Sequence, residues 1–162
     1  MSSSRRFPGA ARRVVIPRAV FIFLLAVVSA CSGAFLSGAE SEFERGLALF
    51  NQGRHEDAIP HFQRAIDRDP EFAPAHLYLG RSYLSLRRWR EAIAPLRTAY
   101  RLAPETTKRE ALDLLIDALL GAALADRRDG HFDSSARYLK EALQLDPQSP
   151  RAQQELLGTP GS

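Results

Sequence analysis

The chain contains a single cysteine, Cys31, among its 162 residues, so an intramolecular disulfide is excluded. It contains no glycine-rich loop of the kind that holds phosphate groups. Its histidines have no metal-binding spacing: His55-Glu56, for example, lacks the second histidine one helical turn further on that a zinc-protease helix requires. These absences argue against an enzyme. We therefore expect no catalytic residue, no metal site and no cofactor.

Basic residues are concentrated at the N-terminus, where no acidic residue precedes Glu40. Five of the 22 basic residues lie there, and without them 17 basic residues face 19 acidic ones, a net charge of −2 instead of the formal +3. The rest of the chain therefore lacks the basic face that is typical of nucleic-acid-binding proteins. The hydrophobic content of 45% is ample for a helical core.

The N-terminal segment has the pattern of a secretory signal peptide. Residues 1–18 carry the five arginines, residues 19–30 form an apolar run, and small residues follow. Val28-Ser29-Ala30-Cys31 resembles a bacterial lipobox, whose cysteine receives a diacylglyceryl group and becomes the first residue of the mature protein. The resemblance implies that Cys31 is a lipidation site. Several acyl chains would anchor the protein stably, because each buried methylene contributes about 0.8 kcal/mol.

Two other interpretations of this segment stay open. Residues 19–39 carry no charge over 21 positions, which is long enough to span a bilayer without cleavage. Ordinary cleavage after Ala30 or Ala39 would instead release a soluble protein. All three interpretations keep the arginines in the cytoplasm and send the rest across the membrane. We expect a signal peptide or anchor over residues 1–30 and a short tether over 31–38, in a periplasm-facing protein of the bacterial envelope. Ser32 stands at the position where an aspartate would favour retention in the inner membrane. The absence of that aspartate favours the outer membrane.

The rest of the chain repeats one pattern at a spacing of 34 residues. Small residues recur where helices must touch, and a proline closes each unit. The matched pairs are Gly46 and Gly80, Ala58 and Ala92, Ala65 and Ala99, and Pro70 and Pro104. This period resembles the tetratricopeptide repeat. The resemblance implies an all-α solenoid of about three helix-turn-helix repeats that binds other proteins.

The first two units are predicted over residues 39–72 and 73–106. Apolar residues at helical spacing predict helices over about 41–52, 56–68, 74–86 and 91–102. Trp89 is then assigned to the turn between the helices of the second unit, as a packing residue.

The third unit, predicted over 107–149, departs from the period. Pro104 and Pro147 are 43 residues apart, nine more than the repeat. The excess predicts an elongated first helix, which begins near Lys108 if Thr107-x-x-Glu110 is a capping box. This helix is either continuous to residue 128 or broken near Gly121.

Two further features are the apolar stripe of the elongated helix and the C-terminal segment. The elongated helix carries an apolar stripe that must be covered, either by packing on the second repeat or by a second copy of the protein. The stripe consists of Leu112, Leu115, Ile116, Leu119 and Leu120. Residues 150–162 predict a short capping helix followed by a tail.

In the tetratricopeptide family, the first helix of each repeat lines a concave groove that holds a segment of the partner. Carried over by position, the groove residues here are Phe43, Leu47, Phe50, Asn51, Leu77, Arg81, Leu84, Ser85 and Arg127. Phe43 and Leu47 stand where some members have the lysine and asparagine that clamp a C-terminal carboxylate. An amphipathic or apolar segment suits these residues better. Alternatively, the apolar residues of the first unit are covered by Phe35 and Leu36 or by a second copy.

These features predict an envelope-anchored scaffold or adaptor that binds a protein, in the assembly of an envelope or surface machine. The partner would be an amphipathic or apolar protein segment, and no nucleic acid is expected. One alternative is a self-associating structural spacer. Another is a regulatory subunit held by an uncleaved transmembrane helix.

Overall fold

The structure is a computed structural model, and it describes residues 38–157. The predictions for the signal segment, Cys31 and the tether before Gly38 lie outside these residues. Within them the regular secondary structure is helical throughout. The helices are α1 (Gly38–Asn51), α2 (His55–Arg68), α3 (Ala73–Ser85), α4 (Trp89–Leu102), α5 (Glu105–Arg128), α6 (Phe132–Leu145) and α7 (Pro150–Leu157).

The helices form three successive hairpins, α1–α2, α3–α4 and α5–α6, and each hairpin stacks on the next. The short helix α7 packs on α6 and closes this end of the stack. The predicted all-α solenoid of three repeats with a C-terminal capping helix is therefore confirmed. Among residues 38–157, no helix combines the length and apolar character that crossing a membrane requires.

Small residues set the distance between the two helices of a hairpin. A Cβ atom added at Gly46 in α1 would lie only 2.7 Å from Cε1 of Phe62 in α2. Gly80 in α3 approaches Leu96 in α4 in the same way. Phe62 and Leu96 are fully buried. The glycines thus let a large apolar side chain of the second helix lie directly on the backbone of the first.

The turns within the hairpins share one backbone feature. Gly53, Arg87 and Gly130 each have a positive φ, of 76°, 57° and 82°. Glycine adopts this left-handed conformation freely, whereas a side chain is crowded there. Arg87 therefore holds a strained position that glycine fills in the other two repeats.

Helix α5 is continuous over its 24 residues, a length of about 36 Å at the rise of an α-helix. It is not broken at Gly121. The indole of Trp89 lies against Gly121, so closely that an added Cβ would be 2.5 Å from Trp89 Cδ2. Trp89 is the first residue of α4, so its assignment to the turn was wrong, while its packing role is confirmed. The preceding turn needs only three residues, 86–88.

The capping box at Thr107-x-x-Glu110 is also wrong. Helix α5 begins at Glu105 with Pro104 as its N-cap residue, and no side chain caps this end. The carbonyl oxygen of Pro104 accepts the backbone N–H groups of Thr107 and Lys108, each at 3.0 Å. Because this carbonyl starts the helical hydrogen bonding, the helix begins three residues earlier than predicted.

The apolar stripe of α5 is covered within the chain. Helix α5 packs between α4 and α6. Leu115, Ile116, Leu119 and Leu120 are buried, and Leu112 is half-buried against the same core. Of the two alternatives, packing is correct, and this face is not free for a second copy.

Candidate protein-binding groove

The first helices of the three repeats, α1, α3 and α5, lie next to one another. The groove residues predicted on them differ in exposure. Phe43, Leu47, Phe50, Leu77, Arg81, Leu84 and Arg127 are half-buried, whereas Asn51 and Ser85 are exposed. The face formed by these helices therefore combines partly covered apolar side chains with polar groups in solvent.

An aromatic cluster joins the first two repeats on this face. The ring centroid of Tyr78 lies 5.5 Å from that of Phe43 and 5.3 Å from that of Phe50, both with edge-on geometry. Phe43 also meets Phe72 edge-on at 5.3 Å. Such pairs contribute about 0.5–1.5 kcal/mol each beyond area burial. The second repeat thus covers part of Phe43 and Phe50, so these two rings serve the core as well as the surface.

Arg81 connects all three repeats. Its guanidinium carbon lies 5.1 Å from the ring centroid of Tyr78 and 6.0 Å from that of Phe50. Its Nη1 lies 3.1 Å from Oε1 of Glu110 in α5. The side chains of Arg81 and Glu110 remain 36% and 45% exposed, so both charges can still meet another molecule.

A cleft of about 340 Å³ opens beside this ion pair, between α3 and the first turns of α5. This volume lies at the lower end of the range of about 300–1,000 Å³ that is typical of ligand sites. The wall is mainly apolar, and Arg81 and Glu110 stand among its polar members. The apolar lining residues are Ala73, Pro74, Leu77, Tyr78, Ala99, Ala103, Pro104 and Ala111. The cleft is therefore suited to an apolar side chain with a polar neighbour.

The structure does not bring all the predicted groove residues together. Leu77 and Arg81 line the cleft, and Phe50 reaches Arg81. Arg127 instead bonds the carboxylate of Glu155 in α7 and donates to its backbone oxygen at 3.2 Å. Arg127 therefore attaches the capping helix. The binding role of the whole set stays a prediction.

Tyr78, Glu110 and Pro104 line the cleft but are not among the predicted groove residues. Tyr78 aligns with the polar residue Glu44 across the 34-residue period, so the repeat pattern does not predict an apolar contact at position 78. Its spacing of three residues from Arg81 was the available signal, because such pairs meet on a helix surface. The sequence pattern places Glu110 in a capping box and Pro104 at the end of a helix, so neither position is marked for binding.

A buried carboxylate joins the helices of the first repeat. Glu42 is 4% exposed. It accepts Arg64 Nε at 2.9 Å and Arg45 Nη1 at 3.0 Å, and His61 Nδ1 lies 2.9 Å away. The hydrogen bonds from Arg64 and then His61 outweigh burial and lower the pKa of Glu42 to about 2. Glu42 is thus an ionised acceptor that links α1 to α2.

Asp126 has the matching role around the third repeat. It accepts hydrogen bonds from Arg90 in α4 and Ser134 in α6. Burial acts to raise the pKa of Asp126, but the hydrogen bonds from Ser134 and Arg90 prevail, so that its pKa lies below its usual value. Within the described part of the chain, no cluster of three or more His, Cys, Asp or Glu side chains could hold a metal ion.

Comparison with known proteins agrees with this architecture. Residues 43–105, which contain most of the first two hairpins, match the family model described as tetratricopeptide repeat. No curated protein matches the sequence.

Several solved structures are similar to the chain. The N-terminal domain of stress-induced protein-1 from C. elegans is 20% identical with a TM-score of 0.52, covering 74% of this chain and 91% of that domain. The second TPR domain of human RPAP3, solved with an HSP70 peptide, is 24% identical with a TM-score of 0.48, covering 74% and 92%. MamA is 22% identical with a TM-score of 0.49, covering 86% and 71%. At 20% identity, the likeness to the C. elegans domain establishes the fold alone.

Proposed function

We propose that this tetratricopeptide-repeat solenoid is a binding scaffold that holds a segment of another protein in the groove of α1, α3 and α5. The observation that carries the proposal is the cleft of about 340 Å³ with the partly exposed Arg81–Glu110 pair at its edge. An apolar side chain that enters the cleft gains about 25 cal/mol for each Å² removed from water. The adjacent ion pair then orients the polar groups of the same segment. An amphipathic segment satisfies both requirements.

The groove is tested by photo-crosslinking in cells. A photo-reactive amino acid replaces Leu77, which lines the cleft, and in a matched control it replaces Asp67, an exposed residue of α2. We expect a protein crosslinked from position 77 and absent from position 67. Equal crosslinking from both positions would contradict the proposal.

A charge exchange separates recognition from folding. Arg81→Glu places two carboxylates together, whereas Arg81→Glu with Glu110→Arg restores an ion pair of reversed order. If the partner binds the charges of Arg81 and Glu110 directly, both variants lose the crosslink while circular dichroism shows a folded protein. Recovery of the crosslink in the double variant would mean that Arg81 acts only by shaping the groove.

For the chain as a whole, we propose an envelope lipoprotein whose solenoid holds its partner near the outer membrane. The arginine-rich start, the apolar run and the lipobox-like residues before Cys31 support this proposal. Such a protein would serve in the assembly of an envelope or surface machine. Cys31→Ala is then expected to leave an unprocessed precursor without lipid, measured by mass spectrometry. The lipid-shifted mass of the wild type in this variant would exclude the lipobox.

A further inference from the structure

The third repeat differs from the others in the lengths of its two helices. Helices α1 and α2 have 14 residues each, and α3 and α4 have 13 and 14. Helix α5 has 24 residues, but α6 has 14. Because α6 runs back along α5 from the turn, it reaches only to about Leu115. Residues 105–114 therefore extend beyond the end of their own partner helix.

A second cleft lies where α6 ends. It measures about 520 Å³, and α4, α5 and α6 line it. Its apolar members include Tyr100, Leu115 and Leu145. The α5 residues that line it, at positions 108 and 115, point about 100° away from those at 107, 110 and 111 that line the groove cleft. The two clefts thus lie on different faces of α5.

The rim of the second cleft carries an excess of positive charge. Arg97, Arg101 and Lys108 stand there with one carboxylate, Glu141. Arg97 pairs with Glu141 at 2.5 Å, and Lys108 pairs with Glu105 at 2.9 Å.

Arg101 differs from the other two cations. Among residues 38–157 its side chain has no ion-pair or hydrogen-bond partner, and it is exposed. After all neighbouring pairs are formed, its charge is left uncompensated at the edge of an apolar cavity.

We propose that this cleft is a second docking surface, for an acidic segment of a partner protein. A leucine or aromatic side chain of the segment would fill the cavity against the half-buried Tyr100 and Leu145. Its carboxylates would bind Arg101 and compete with Glu141 for Arg97, since guanidinium groups bind carboxylates in a bidentate, charge-assisted manner. Charge complementarity selects this partner, because a basic segment would be repelled by the uncompensated charge of Arg101, whereas an acidic one would neutralise it. The surface is independent of the groove of α1, α3 and α5.

The test uses the full-length protein in detergent and fluorescence anisotropy with three labelled synthetic peptides of equal length. The first combines glutamate with leucine, the second has lysine for glutamate, and the third has serine for leucine. We expect the wild type to bind the first peptide most tightly, because only it supplies both carboxylates and apolar side chains. Arg101→Glu is expected to weaken this binding about tenfold or more.

Lys140→Glu is the matched control. Lys140 is exposed on α6 and does not line the cleft, so the variant makes the same charge change outside the site. Its affinity for the first peptide should stay within about twofold of the wild type, as is usual for a surface charge. Equal weakening by Arg101→Glu and Lys140→Glu would overturn the proposal, because net charge alone would then explain the binding. Arg101-dependent binding to vesicles of anionic lipid, without binding to the acidic peptide, would also overturn it.

Discussion

The first two repeats and the third use the same small residue for different contacts. In the first two, a glycine of the first helix lies against a large side chain of its own second helix: Gly46 against Phe62, and Gly80 against Leu96. In the third repeat, Gly121 lies instead against Trp89, which belongs to the preceding repeat. The repeat pattern therefore predicts where two helices approach closely, but it does not predict which helix approaches.

The position of Trp89 also explains an exposed aromatic residue. Phe132 begins α6 as Trp89 begins α4. Trp89 is covered by the following repeat, whereas no fourth hairpin follows α6 in the described part of the chain. Phe132 is accordingly 48% exposed. Equivalent residues thus differ in burial because a solenoid covers each repeat with its neighbour.

The largest effect is expected from Gly121→Ala. On an ordinary helix this change stabilises by about 0.5–1 kcal/mol. Here the new methyl group would collide with Trp89, so we expect the free energy of unfolding to fall by about 1–3 kcal/mol, the usual cost of overpacking. Urea denaturation measures this value.

The control for Gly121→Ala is the same change in a Trp89→Ala background. With the indole removed, the substitution should become neutral or stabilising, and the double-mutant cycle then gives the coupling energy of the pair. A Gly121→Ala variant as stable as the wild type would show that the contact between repeats two and three is not tight.

The next prediction concerns Glu42, the ionised carboxylate of the first repeat. The pKa of Glu42 in the folded state, about 2, lies below its ordinary value of 4.5. Its contribution to stability is therefore complete above about pH 4.5 and is lost as the pH falls through about 2. We expect Glu42→Gln to have a lower free energy of unfolding than the wild type at neutral pH. Urea denaturation at a series of pH values should show this difference shrinking as the pH falls from about 4.5 to about 2.

Glu44→Gln is the control for the acid series, because Glu44 lies on the same helix but is exposed. Its stability should follow that of the wild type at each pH. If Glu42→Gln also follows the wild type, then Glu42 does not hold α1 and α2 together.

The smallest effect is expected from Ser135→Ala, which makes the third repeat match the first two. Ser135 occupies the position of Ala58 and Ala92, and its buried hydroxyl has no hydrogen-bond partner within residues 38–157. Removing such a group should stabilise the protein by about 1 kcal/mol, measured by thermal denaturation.

Ser82→Ala controls for the helix preference of alanine. Ser82 is equally buried, but its hydroxyl donates to the carbonyl oxygen of Tyr78 at 2.8 Å. The two substitutions make the same chemical change in a helix, so Ser135→Ala should be the more favourable one. The opposite order would mean that the Ser135 hydroxyl is bonded after all.

Sequence patterns predicted the hairpins because the small residues and prolines of the repeat lie close together in the chain. They failed at positions decided by contacts beyond the local pattern. The capping box at Thr107 was wrong because the carbonyl of Pro104 already accepts the first N–H groups. Glu42 escaped notice because its partners His61 and Arg64 lie 19 and 22 residues away. Tyr78 escaped notice because its ring partners lie on other helices.

By itself, the sequence determined the helical class, the order of the hairpins and the extra length of the third unit. These properties depend on spacing along the chain, and spacing is read directly from residue types. Tertiary structure alone decided that Trp89 fills the space at Gly121 and that Arg81 stands between two repeats. It also decided that the end of α6 at Leu145 lies beside a cleft with Arg101 on its rim. Such outcomes depend on the distances between helices, which side-chain volumes and buried charges set only once the repeats are stacked.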